Sequence, residues 1–172
     1  MSSIIEDTVA VALGNLGRVR AKFNGLEGVF ILVIQEHAQV ATLLARAEMS
    51  TDPEKRAELW AKIRPELLAH ESAEAQTIYR DVEARPEFAD LERHHEEEAE
   101  KLRGVIQNVD SAAFASSQWE GCINQVHEAV ARNARREEED YFPRIQAFIG
   151  AGRAEELEQQ YSQVKQALLL SL

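Results

Sequence analysis

Four long stretches of this sequence repeat apolar residues at helical spacing, and each places imidazole, carboxylate or amide side chains on its own apolar stripe. Apolar residues recurring every three or four positions lie along one face of a helix. The first stripe is Phe30, Val33, His37, Val40, Ala41, Leu44 and Ala47, in a helix predicted from about Gly28 to Met49. The second carries Trp60, Ile63, Leu67, His70, Glu74 and Ile78; the third carries Phe88, Leu91, His95, Glu98, Leu102, Val105 and Val109. The fourth, predicted from about Ser117 to Ile149, carries Trp119, Ile123, Val126, Val130, Asn133, Glu137 and Tyr141. Stripes that bury one another must bury these polar groups with them.

The breaks between the stretches are clear because Gly and Pro are few, eight and four in 172 residues. Ser50-Thr51-Asp52-Pro53-Glu54 puts cap-type residues ahead of a first-turn Pro and starts the second helix. That helix runs towards Pro86, with Pro65 a potential kink. Arg85-Pro86-Glu87 opens the third, and Gly150 to Gly152 terminates the fourth. The prediction is an all-α fold: an up-down four-helix bundle with an extra N-terminal helix, about Ile4 to Phe23, and a C-terminal amphipathic helix. The C-terminal helix, about Ala154 to Leu170, is predicted to pack on the outside of the bundle through Leu157, Tyr161, Val164 and Leu168. Residues 1–172 read as a single domain with the bundle core at about 28–149.

Composition narrows the partners. A net charge of −11 argues against nucleic acid and anionic membrane and favours cations. The longest apolar run, Val29 to Ile34, is far short of a membrane span. One cysteine, Cys122 in an apolar stretch, fits a buried thiol and a reducing compartment. With no signal peptide visible, a cytoplasmic location is expected. The sequence has no glycine-rich phosphate loop, no His-Glu-x-x-His pair and no cysteine pairs for zinc, and it leaves the oligomeric state open.

The four stretches also form an internal repeat. Phe30, Val33, His37 and Leu44 align with Phe88, Leu91, His95 and Leu102; Ile63, Leu67, His70, Glu74 and Tyr79 align with Val126, Val130, Asn133, Glu137 and Phe142. His37 thus pairs with His95 and Glu74 with Glu137, while His70 finds Asn133. Carboxylates buried without partners cost several kcal/mol or take up a proton. One or two cations would neutralise them, and imidazole plus carboxylate without thiolate suits iron or manganese, with zinc as an alternative. Carboxylates can bridge two ions about 3.5–4 Å apart. Glu96, Glu97, Glu138, Glu139 and Asp140 read as a solvated acidic face, and Tyr79, Tyr141 and Tyr161 as bundle aromatics.

These residues resemble the haemerythrin-like, HHE cation-binding family over roughly His37 to Phe148. The resemblance rests on Glu36-His37-Ala38, on His70-x-x-x-Glu74 leading to Tyr79, on His94-His95-Glu96-Glu97-Glu98, and on the fourth-helix ending Glu137 to Pro143. It implies a four-helix bundle holding a non-haem di-iron centre, oxo- or hydroxo-bridged, with His37, His70 and the bridging Glu74 carried over directly. On the third helix either His94 with Glu98 one turn on, or His95, is implied as ligand. Glu137 is implied as the second bridge. The family's fourth-helix His is missing: Asn133 stands four residues before Glu137, and His127 lies about 240° around the helix from Asn133. The departure therefore falls on the metal nearest the fourth helix, and it implies redox chemistry or metal handling rather than reversible oxygen carriage. The implied ligands are a dinuclear metal pair, preferably iron, and a small oxidant such as dioxygen, peroxide or nitric oxide. The alternatives are a non-enzymatic metal-storage module and a degenerate bundle acting through protein contacts. No catalytic side chain is assigned.

Overall fold

The computed structural model describes residues 25–172. The expected helix at Ile4 to Phe23 lies outside them. The described residues form α1 (Val29–Met49), α2 (Pro53–Glu74), α3 (Ala89–Ser111), α4 (Ser117–Arg136) and α5 (Phe142–Leu169), with no strand among them. This is the predicted all-α bundle. Local chemistry fixes the helix starts: Asp52 accepts the Glu54 backbone N–H at 3.0 Å, and Ser116 Oγ accepts that of Trp119 at 3.1 Å. The helix of α2 is continuous through Pro65.

Two departures from regular helix matter for the site. The second and fourth bundle helices each pass into a π turn beside a stripe carboxylate, Ala75–Tyr79 after Glu74 and Glu137–Tyr141 at Glu137. The repeat read from sequence thus extends to the backbone defects. A π turn spaces its hydrogen bonds five residues apart, and such turns concentrate at functional sites. Here it leaves both Glu74 and Tyr79 buried.

The second departure falls at Gly150, where the sequence puts the end of the fourth bundle helix. Gly150 ends the regular helix with a φ of 77°, and a second helical segment follows it within α5. The C-terminal half of α5 folds back so that Ala154, Leu157 and Tyr161 are fully buried with Leu26, Val29 and Phe30. Gly28 permits the approach: a Cβ there would lie 2.3 Å from the Ala154 backbone, and its φ of 53° suits glycine.

Helices α1 and α2, α1 and α4, and α3 and α4 pack closely, whereas α2 and α3 touch only sparsely. Helix α1 is long and apolar enough to cross a bilayer by length and composition, but its apolar stripe is committed to the core through Val29, Phe30, Val33, Val40 and Leu44. The apolar core is split into two clusters. One surrounds Phe30, Phe142, Ile145 and Tyr161, the other Trp60, Ile63, Trp119 and Ile123. Between them lies a layer of buried polar side chains.

Candidate metal centre

The polar layer contains His37 of α1, His70 and Glu74 of α2, His95 of α3, and Asn133 and Glu137 at the end of α4 and in its π turn; all are buried, and both Glu74 and Glu137 are 0% exposed. Each occupies a stripe position, so the periodicity that buries the apolar residues brings these groups together. His37, His70 and Glu74 each offer a ligand atom within 4.8 Å of the others, and so do Glu71, Glu74 and His95. Glu74 belongs to both groups. Glu137 also touches both sides: its Oε2 lies 3.3 Å from His37 Nε2, and its Oε1 lies 3.9 Å from His95 Nδ1. Two carboxylates therefore stand between an imidazole pair and a lone imidazole.

The groups face one another without satisfying one another. Both oxygens of Glu74, both ring nitrogens of His95, Oε2 of Glu137 and Oε2 of Glu71 are buried with no hydrogen-bond partner. His70 Nε2 is 3.5 Å from Glu74 Oε2. Buried polar atoms are normally paired, and unpaired ones cost about 1–3 kcal/mol each. Lone pairs converging from imidazole and carboxylate, with no thiolate, are what a divalent or trivalent first-row ion would satisfy. The donor set fits a metal.

Electrostatics give the same picture. Burial raises the pKa of Glu74 well above the carboxylate range, and the neighbouring Glu137 and Glu71 raise it further. Burial likewise pushes Glu71 up to about 8, reinforced by Glu137. Burial opposes the charge on Glu137, but His37 overrides it and keeps Glu137 low. Burial would lower His37, yet Glu137 and Glu138 raise it to about 9. Without a cation the layer balances its charge by holding protons.

A ring of groups orients the imidazoles. His70 Nδ1 lies 2.9 Å from Glu36 Oε2, which also accepts from Tyr161 Oη at 2.6 Å and Lys165 Nζ at 2.8 Å. Burial works against ionisation of Glu36, but His70 and Lys165 bring its pKa down to about 2. His37 Nδ1 lies 3.0 Å from Glu138 Oε1, so Glu138 is not simply part of a solvated acidic face. On the other side, Tyr79 Oη donates to Glu137 Oε1 at 3.0 Å, and its ring stacks on His95 at 3.8 Å. Carboxylates that take one imidazole N–H fix which nitrogen is left for a metal.

Of the sequence candidates, the structure brings together His37, His70, Glu74, His95 and Glu137. His94 is half-buried and belongs to neither ligand group. Glu98 turns to Lys101 Nζ at 2.9 Å and lies 3.8 Å from Arg132. His127 pairs with Glu48 at 2.9 Å, away from the layer. Sequence reasoning missed Glu36, Glu71, Tyr161 and Lys165. Glu36 and Glu71 directly neighbour His37 and His70 but fall off the apolar stripes. Tyr161 and Lys165 come from a helix whose fold-back depends on Gly28 and Gly150.

A narrow cavity of about 20 Å³ adjoins the layer, lined by Glu36, His37, His70, Glu71, Asn133 and apolar residues including Val40, Leu67 and Val130. It has room for about one water-sized molecule. An open polar cleft of about 510 Å³ lies at the α2–α3 seam, and its walls include Glu71 and His95.

A DNA nickase of Nostoc sp. (strain PCC 7120) is 21% identical over 163 residues, 94% of this chain but 46% of that protein, so the chain spans about half the length of this curated relative. No solved structure matches the chain significantly. The family model of the Hemerythrin HHE cation binding domain matches residues 31–168, most of the chain and every polar residue of the buried layer. The protein belongs to the hemerythrin HHE cation-binding family.

Proposed function

We propose that the buried layer holds two metal ions, iron by preference, and that the pair binds, senses or reduces a small oxidant such as dioxygen, peroxide or nitric oxide. His37 and His70 would hold one ion and His95 the other, with Glu74 and Glu137 shared between them. The observation that carries this reading is the set of buried, unpartnered oxygens and nitrogens on Glu74, Glu137 and His95. Iron would supply the change of oxidation state.

The protein's own groups position and enclose. Glu36 faces His70 Nδ1 and Glu138 faces His37 Nδ1, which directs both Nε2 atoms inward to Glu74 and Glu137. Tyr161 and Lys165 hold Glu36 in place. Tyr79 holds one oxygen of Glu137. Val40, Leu67 and Val130 wall the cavity beside His37 and His70, leaving space for a diatomic ligand rather than a larger substrate. The reading includes a reducing, cytoplasmic setting, supported by the lone buried Cys122. It does not include DNA cleavage, since a chain of net charge −11 repels phosphate.

The test is to load the protein with ferrous iron without oxygen and mix it with hydrogen peroxide, nitric oxide or dioxygen. Oxo-to-iron absorption or a nitrosyl spectrum should appear, with oxidant consumed faster than by the same iron mixed with Glu74→Ala protein or free in buffer. A ferrous spectrum indifferent to all three would reject the reading.

A further inference from the structure

We propose that Glu71 is a ligand of the ion beside His95, supplying the donor that Asn133 does not, and that this ion exchanges through the α2–α3 cleft while its neighbour is retained. The inference rests on the two-ion reading above and goes beyond it by making the two positions unequal.

Glu71 stands three residues before Glu74, so both side chains leave the same side of α2. Its ligand atom lies within 4.8 Å of those of Glu74 and His95. Oε2 of Glu71 is buried and unpartnered. Its Oε1 receives only a long contact from Asn133 Nδ2, 3.5 Å away. That contact places Asn133 behind Glu71, where an amide can steady a carboxylate, and leaves the front of Glu71 to the layer. His95 is 4% exposed with both ring nitrogens unpartnered. A buried imidazole with neither nitrogen hydrogen-bonded thus stands beside a carboxylate with an unpartnered buried oxygen.

The two halves differ in support and access. His37 and His70 each have a carboxylate within 3.0 Å of Nδ1, whereas His95 Nδ1 has Glu137 no nearer than 3.9 Å and the ring leans on Tyr79. Outer partners of this kind are worth about 10–100-fold in metal affinity. The His95 position would have one imidazole among carboxylates, a donor set that holds first-row ions less tightly than an imidazole-rich one. It also lies beneath the open polar cleft, whose walls include Glu71 and His95 together with Gln76, Glu96, Glu100 and Arg103, so only these side chains separate its buried donor atoms from solvent. The His37–His70 side meets the narrow cavity, whose walls also include Glu71 and Asn133.

The experiment uses the full chain loaded anaerobically with ferrous iron, its metal counted directly and its release into excess chelator followed in time. Wild type should hold two ions and release them in two phases, the first about 10–100-fold faster. Glu71→Ala and Glu71→Gln should each hold one ion and lose the fast phase, with helical content unchanged by circular dichroism. Gln76→Trp, at the cleft wall, should keep both ions and slow only the fast phase. Two ions in both Glu71 variants, or a single release phase in wild type, would overturn this proposal and leave the two-ion reading standing. A wild-type chain that cannot hold two ions would overturn both.

Discussion

The two halves of the polar layer are built from the same repeat and finished differently. On one side His37 and His70 are each backed by a carboxylate, and Glu36 is tied to the C-terminal helix by Tyr161 and Lys165. On the other side His95 has no hydrogen-bonded partner, Asn133 stands where the repeat would put an imidazole, and the seam between α2 and α3 is open. The comparison teaches that the apolar periodicity sets where donors lie, whereas their rigidity comes from neighbours off the stripe. A helical repeat can therefore deliver two similar positions that behave differently.

The largest change expected comes from removing what the halves share. Glu74→Leu should abolish metal binding at both positions, while the apoprotein melts no lower than wild type, because replacing an unpartnered buried carboxyl with an apolar group of similar size is close to neutral or stabilising. A variant that still binds two ions would show that Glu74 is not shared. Glu36→Ala should strike one half only, weakening the tighter ion by about 10–100-fold and leaving the exchangeable one unchanged; equal loss from both, read by metal titration, would erase the distinction.

Smaller effects should come through the backbone. Gly28→Ala forces a Cβ to 2.3 Å from the Ala154 backbone and holds alanine at positive φ, so thermal melting should show a loss of about 1–3 kcal/mol. The retained ion should loosen with it, since α5 carries Tyr161 and Lys165. No change in melting would mean that the fold-back of α5 is not held by this contact. Tyr161→Phe removes one buried hydroxyl from Glu36 and should cost about 1 kcal/mol with a smaller affinity loss than Glu36→Ala. An affinity loss larger than that of Glu36→Ala would show that Tyr161 acts chiefly through its direct contact with His70 Nδ1, 2.9 Å away, rather than through Glu36.

The bundle was legible because every apolar stripe keeps its period for several turns, from Phe30 to Ala47 as from Trp119 to Tyr141. His37, His70, Glu74, His95 and Glu137 were legible for the same reason, since polar residues on a buried stripe stand out. Between His94 and His95 the stripe favoured His95, and the structure buries that one in the layer. Glu98 shows where the pattern misleads: it is in phase with the stripe, yet Lys101 and Arg132 draw its carboxylate to the rim. Glu36 and Glu71 escaped notice because an acidic residue off the stripe looks like any solvated one, and only the packing of α5 and the Asn133 amide gives them work. Periodicity puts Tyr161 on the buried stripe of the C-terminal helix, but that its hydroxyl reaches Glu36 depends on the direction the chain takes after Gly150, which no spacing in the sequence encodes.

The most direct test of the account is the metal content of the wild-type protein expressed in iron-rich medium, read with its optical spectrum and its melting temperature before and after chelation. The account predicts close to two ions per chain, oxo-to-iron absorption, and a melting temperature that falls when the metal is removed. Background metal, a featureless spectrum and melting indifferent to added iron would contradict it.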